Sequence, residues 1–261
     1  MLFWKKKKKI GLALGGGAVF GAAHIGVLKA VEELKIPVSF IAGTSIGAMV
    51  SAFYAFGVGL PELEKIAKDL RWLDISGLTL SEFGLLSNKK LGELLGEKIG
   101  DVELSQSKIP LAMVATDITT GERVVLKDGK LAPAVMASTC IPGIFKPVEI
   151  GDRLLVDGGI VENVPLSPLH ELGADYVIAV DLNANHKYKK PENIIEVLLN
   201  SFHFALQTTA RLQTEDADLL IQPDLSEFNR IDLNQVEELI EAGYAEAMRV
   251  LKDIDKRLRE K

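Results

Sequence analysis

With 261 residues, 48% of them hydrophobic, the chain is long enough to bury a sizeable core and reads as one domain. A net charge of −6 and a pI near 5.4 exclude a general nucleic-acid binder, because counterion release needs a basic face. The single cysteine, Cys140, excludes an intrachain disulfide and a zinc site built from several thiolates; it reads as a small buried residue in a reducing, cytoplasmic protein.

The N-terminal residues 1–9 form a basic segment in which Lys5, Lys6, Lys7, Lys8 and Lys9 follow an apolar start. Such a run is either a solvated tail or a peripheral contact with an anionic membrane surface at the inner face, with Phe3 and Trp4 as interfacial anchors. Ile10 to Leu28 is apolar but carries six glycines and His24, which suits a buried strand, loop and helix rather than a membrane span. Ile10–Leu14 is the strand and Gly15–Gly21 the loop. From Ala22 the helix places Ile25, Leu28, Val31 and Leu34 on one face and stops before Pro37. A second strand, Val38–Ala42, runs into a tight turn at Ser45 and a helix to about Phe56.

Helices are predicted over Pro61–Leu70 and Asn88–Ile99, with a leucine-bearing link, Ser76–Ser87, that is either a flap over an apolar pocket or a loop packed on the body. Strands follow at Ile109–Asp117 and Arg123–Leu126, then a helix at Lys130–Ser138 and a proline-rich turn at Ile141–Pro147. The strand Arg153–Val156 ends at Asp157-Gly158-Gly159. A helix at Pro165–Leu172, a strand at Tyr176–Asp181, a helix from Glu192 to about Gln213, a strand at Leu219–Gln222 and an amphipathic helix at Gln235–Arg259 complete the chain. This alternation predicts an α/β fold: a single doubly wound, mainly parallel sheet with helices on both faces. Its catalytic core is expected over residues 10–185, with 186–261 packed on the same domain.

Three loops begin where a strand ends, and in a parallel sheet such loops converge on one edge. Gly43-Thr44-Ser45-Ile46-Gly47 fits a nucleophile elbow, or a turn whose serine merely caps a helix. The glycines of the first loop leave backbone N–H groups unshielded at a helix start, which makes an anion cradle or oxyanion hole. A dinucleotide fingerprint fails, since Phe20 stands where its last glycine belongs, and no Gly-Lys-Ser/Thr supplies a phosphate loop. Asp157, between a strand and two glycines, is placed to project a carboxylate into a site or to shape an Asx turn. None of His24, His170, His186 and His203 follows a strand end as in an α/β-hydrolase triad, although the last three lie beyond Asp157; the base is therefore either a desolvated carboxylate or, as a third reading, one of these histidines.

Taken together, Gly15–Gly21, the Ser45 pentapeptide and Asp157-Gly158-Gly159, in that order, resemble the patatin-like phospholipase family, in particular its compact bacterial members. Ala22–Leu28 and Ala137–Pro147 look like the family as well, and the resemblance covers roughly residues 8–185. It implies a Ser–Asp dyad in an architecture related to the α/β-hydrolases, with Ser45 as nucleophile and Asp157 as base. The N–H groups of Gly16, Gly17 and Ile46 would be the oxyanion donors, and Gly15, Ala18, Phe20, Gly21, Gly43, Gly47, Gly158 and Gly159 complete the motifs. Where the family's loop has a basic residue and a further glycine, this chain has Phe20 and Ala18, a change that weighs toward simple acyl esters over phosphate-bearing substrates. The implied activity is hydrolysis of carboxylic esters of lipids, of phospholipase A, lysophospholipase or esterase type, with no metal or cofactor. The competing reading is an inactive lipid- or acyl-binding regulatory member of the fold.

Overall fold

The computed structural model describes residues 8–69, 77–81, 84–184, 190–191, 194–229, 232–254 and 258. Strand β1 (Ile10–Leu14) is buried at every position, as an apolar run covered on both faces should be. It lies between β2 (Val38–Thr44) and β9 (Tyr176–Val180), parallel to both. Strands β5 (Leu111–Asp117) and β10 (Leu219–Ile221) extend the parallel sheet on its two sides. Beyond β5 the direction reverses: β6 (Arg123–Leu126) and β8 (Arg153–Asp157) pair with it antiparallel, and β7 (Val148–Ile150) pairs antiparallel with β8. The sheet order is β10-β9-β1-β2-β5-β8-β7, with β6 also on β5.

Helices cover both faces, as the alternation predicts. On one side α1 (Ala22–Glu33), α2 (Ile46–Ala55), α3 (Leu60–Asp69) and the C-terminal α8 (Val236–Leu251) bury the larger core. Helices α1 and α8 cross so closely that a Cβ on Gly26 would lie 1.9 Å from the Ile240 carbonyl oxygen. On the other face α6 (Ser167–Leu172) and α7 (Ile194–Gln213) pack on the small side chains Ala13, Ala42, Ala112 and Ala179. Two further helices, α4 (Lys89–Lys98) and α5 (Leu131–Ser138), carry the chain past the β5 end of the sheet.

The arrangement around β5 differs from the expectation of three parallel strand ends. Val114 pairs with Thr44 of β2, whereas Ala115 and Thr116 pair with Asp157 and Val156 of β8. Because β6 occupies the other edge of these same residues, β2 and β8 lie on one edge of β5 and run toward each other. They end on consecutive partners, Val114 and Ala115. Ser45 and Asp157 therefore meet because two strands arrive head to head, and not because parallel loops converge.

The Ser76–Ser87 link contains a two-stranded antiparallel hairpin, β3 (Gly77–Ser81) and β4 (Gly84–Ser87). Its second strand is tied to the proline-rich turn by Leu86 N–H to Ile144 O (3.0 Å) and Lys146 N–H to Leu86 O (3.0 Å). Ser76, Glu82 and Phe83 lie outside the described residues, as do Met1–Lys7 and with them Lys5, Lys6 and Lys7. Lys8 and Lys9 stand over the rings of Tyr176 and Phe40, each 5.7 Å from the centroid, at the end of β1 remote from the glycine loop. Among the described residues no helix is long and apolar enough to cross a membrane.

Candidate active site

Between Thr44 and Ile46 the chain turns from strand to helix through Ser45, whose φ of 56° and ψ of −127° are unusual for a residue with a side chain. The two flanking glycines are steric requirements. A Cβ on Gly43 would lie 2.4 Å from Gly47 O, and one on Gly47 would lie 2.0 Å from Leu14 O. The strained turn is clamped from outside: Ser45 N–H donates to Ser138 Oγ at 3.0 Å, and that hydroxyl donates to Val114 O at 2.7 Å. Thr44 Oγ1 donates to Glu162 O at 2.9 Å on the other side. The Ser45 side chain makes no capping bond to α2, so the helix-cap alternative does not describe it.

Asp157 is fully buried at the end of β8. Its carboxylate Oδ1 accepts from Gly159 N–H at 2.8 Å, its own N–H donates to Cys140 O at 2.8 Å, and its carbonyl accepts from Thr116 Oγ1 at 2.9 Å. Burial pushes its pKa up to about 7, against the opposing pull of the nearby Ser45 hydroxyl and the Gly159 N–H. Oδ2 has no well-formed hydrogen bond, and the Ser45 hydroxyl lies near enough to favour the charged form. Cys140, buried beside this carboxylate, has its thiol pushed up to about 12 by burial and then by the Asp157 charge, which makes it inert filler as expected.

The glycine loop corrects one expected donor. Gly16 N–H is already committed to Asn163 O at 3.1 Å, and Gly15 N–H to Val180 O at 3.1 Å. Gly17 and Ile46 N–H have no partner among the described residues, and neither does Ala18 N–H, which sequence reading passed over. Ala18 adopts φ 52°, the left-handed conformation a glycine would take more easily, so the loop keeps its shape despite the substitution. From behind, Asn183 Nδ2 donates to Gly16 O at 2.7 Å and His24 Nε2 bonds Gly15 O at 2.7 Å. Burial pulls the pKa of His24 down to about 4, so at neutral pH it is an uncharged donor to that carbonyl. Its place is under the loop. Among the described residues no histidine hydrogen-bonds Ser45 or Asp157, and His186 lies outside them.

Phe20 does not occupy the position that was expected to influence substrate charge. It is completely buried in the core beneath the loop. Beside the loop a small crevice of about 40 Å³ is lined by Ala18, by Ile46, Met49, Val50 and Phe53 of α2 and by Ile66 of α3. Every one of these side chains is apolar. Ser138, Asn163 and Asn183 were not singled out from the sequence; Ser138 lies inside the family-like block Ala137–Pro147, whereas the two asparagines carry no local signal.

Comparisons with known proteins bear on the family and the fold. The family model described as patatin-like phospholipase matches residues 12–170. An uncharacterized NTE family protein of Mycobacterium tuberculosis is 39% identical over 180 residues, covering 68% of this chain and 50% of the relative. Neuropathy target esterase sws of Drosophila melanogaster is 33% identical over 189 residues, 69% of this chain and 13% of that protein. The chain thus spans half or less of the length of these curated relatives. Among solved structures, VipD of Legionella pneumophila superposes with a TM-score of 0.66 at 14% identity, covering 95% of this chain and 67% of that one, a likeness of fold. The chain belongs to the patatin-like phospholipase family.

Proposed function

We propose that the protein is a serine acyl hydrolase acting on carboxylic esters of lipids. The observation that carries the reading is the pairing of a strained, uncapped Ser45 with a buried Asp157 whose second oxygen is unsatisfied and whose pKa is raised toward 7. Ser45 Oγ attacks the ester carbonyl as Asp157 takes its proton. The N–H groups of Gly17, Ala18 and Ile46 receive the developing oxyanion, where each such donor is worth roughly 3 kcal/mol. Asp157 then gives the proton to the leaving alcohol, and water, deprotonated by the same carboxylate, releases the acyl group from Ser45. The substitution of Ala18 is compatible with this chemistry, which removes the main reason for reading the chain as an inactive binder.

A fluorophosphonate probe tests the reading, because it reacts with an activated serine irrespective of acyl preference. Wild-type protein is expected to be labelled at Ser45 and Ser45→Ala to remain unlabelled. A folded wild type that takes no label, or takes it on another serine, would overturn the assignment.

Lipid esters are favoured by the apolar lining of the crevice beside Ala18 and Ile46, a start for an acyl-chain site that would have to open further on binding. Helix α7, which crosses the Asp157 turn with Leu206 against Gly159, also shows solvent an apolar face of Ile194, Val197, Leu198 and Phe204. A lipid aggregate would approach on this side. Lys8 and Lys9 sit at the far end of β1 from this face. Phe53→Ala removes a fully buried ring, so it should destabilise by about 3–5 kcal/mol and, by enlarging the crevice, move the optimum of a p-nitrophenyl ester series toward longer chains. An unchanged chain-length profile in a folded variant would place the acyl chain elsewhere.

A further inference from the structure

Asn163 is the group in this site with the least structural justification. It is fully buried, and its main chain is fixed: the N–H donates to Gln213 Oε1 at 3.1 Å and the carbonyl accepts from Gly16 N–H at 3.1 Å. Yet neither Oδ1 nor Nδ2 of its side chain has a hydrogen-bond partner. Buried amides are almost always satisfied, and one with both atoms unmet destabilises the fold unless something else engages it.

Its position says what that is. A Cβ on Gly16 would lie 2.6 Å from Asn163 Oδ1 and 3.1 Å from Ser45 Cβ. A Cβ on Gly159 would lie 3.1 Å from Asp157 Oδ1 and 3.2 Å from Asn163 Oδ1. The amide oxygen therefore packs against Gly16 and Gly159, near both the nucleophile and the base, and with Asp157 Oδ2, which has no well-formed hydrogen bond, the site offers one donor and two acceptors.

We propose that Asn163 positions the water that hydrolyses the acyl-enzyme, an inference that rests on the hydrolase reading above. The oxyanion already has three backbone donors on the Gly17–Ala18 and Ile46 side, and it would use Nδ2 while leaving Oδ1 unmet. Water is both donor and acceptor and satisfies both amide atoms at once. In deacylation the water gives one proton to Asp157 Oδ2, its second hydrogen is held by Asn163 Oδ1, and Nδ2–H occupies one lone pair. The remaining lone pair attacks the acyl carbon. When the tetrahedral intermediate collapses, the carbon–Oγ bond breaks, Ser45 Oγ takes the proton from Asp157, and the carboxylic acid leaves.

The test separates the two half-reactions. Wild type, Asn163→Ala and Asn163→Ser are compared by single-turnover p-nitrophenolate release from p-nitrophenyl butyrate, by steady-state turnover, and by intact mass for acylated Ser45. Acylation should stay within about threefold of wild type while turnover falls roughly 10- to 100-fold and acyl-Ser45 accumulates. Hydroxylamine, a stronger nucleophile that depends less on being held, should restore much of the lost turnover. Since the amide forms no bond within the fold, the melting temperature should stay within about 3 °C of wild type. Acylation and turnover falling in parallel in a folded variant, or turnover unchanged, would overturn the inference while leaving the dyad intact. A wild type that never forms acyl-Ser45 would instead overturn the hydrolase reading, and this one with it.

Discussion

Asp157→Asn is expected to lower kcat/KM on a short-chain ester by about 10³- to 10⁴-fold while making the protein more stable above pH 7. Both halves follow from one fact, that the carboxylate is held without solvent at the end of β8. A carboxylate base acts only when ionised, so if Asp157 is the base, wild-type kcat/KM should rise through a single ionisation near pH 7 and level off above it. For stability the sign is opposite to that of an ordinary paired carboxylate. The folded pKa lies above the unfolded one, near 4, so the folded state binds this proton more tightly. Its contribution to stability is complete below about pH 4 and is lost as pH rises toward 7; beyond that the buried charge costs the folded state roughly 4 kcal/mol. Asparagine has no charge to bury. Urea denaturation at pH 5 and pH 8 should therefore show the variant gaining on wild type mainly at pH 8. A loss of activity accompanied by lower stability at pH 8 would mean that Asp157 is a structural residue.

What was legible in the sequence is the part controlled by local sterics. Glycine at 43 and 47 is demanded by backbone atoms about 2 Å from where a Cβ would sit, so the elbow was written in consecutive residues. The strands β1, β5 and β9 were visible as apolar runs because each is buried on both faces, as is the C-terminal half of β2. The direction of β8 was not visible, since an alternation of apolar residues has no polarity and only pairing with β5 reveals it. Gly16 was misread as a donor for a similar reason: its N–H is taken by Asn163 O, far away in sequence. Phe20 was misread because a motif position says nothing about whether the side chain faces the site or the core. Ser138 reaches the serine turn, and Asn163 the glycine loop, through contacts that no spacing rule encodes.

A contrast between two glycines measures how much of the elbow is steric. Gly47→Ala should destabilise by about 3 kcal/mol or more, lowering the melting temperature by roughly 10 °C, and should abolish probe labelling of Ser45. The alanine methyl would lie 2.0 Å from Leu14 O and 2.7 Å from Gly15 O, both backbone atoms in the central strand and the oxyanion loop. Neither is the end of a flexible side chain, so the contact is relieved only by moving α2 away from β1. That movement separates the Ile46 N–H from the Gly17 and Ala18 N–H groups, and the loss of activity should exceed what partial unfolding explains. Gly96→Ala is the matched control. Gly96 lies within α4 with nothing within 4 Å of its Cβ position, so alanine there should stabilise by about 0.5–1 kcal/mol through helix propensity alone. Thermal melts of both variants, with probe labelling at a temperature where each is folded, decide the matter. If Gly47→Ala melts like wild type and still labels, the close approach of α2 to β1 is not what holds Ser45 in its strained conformation.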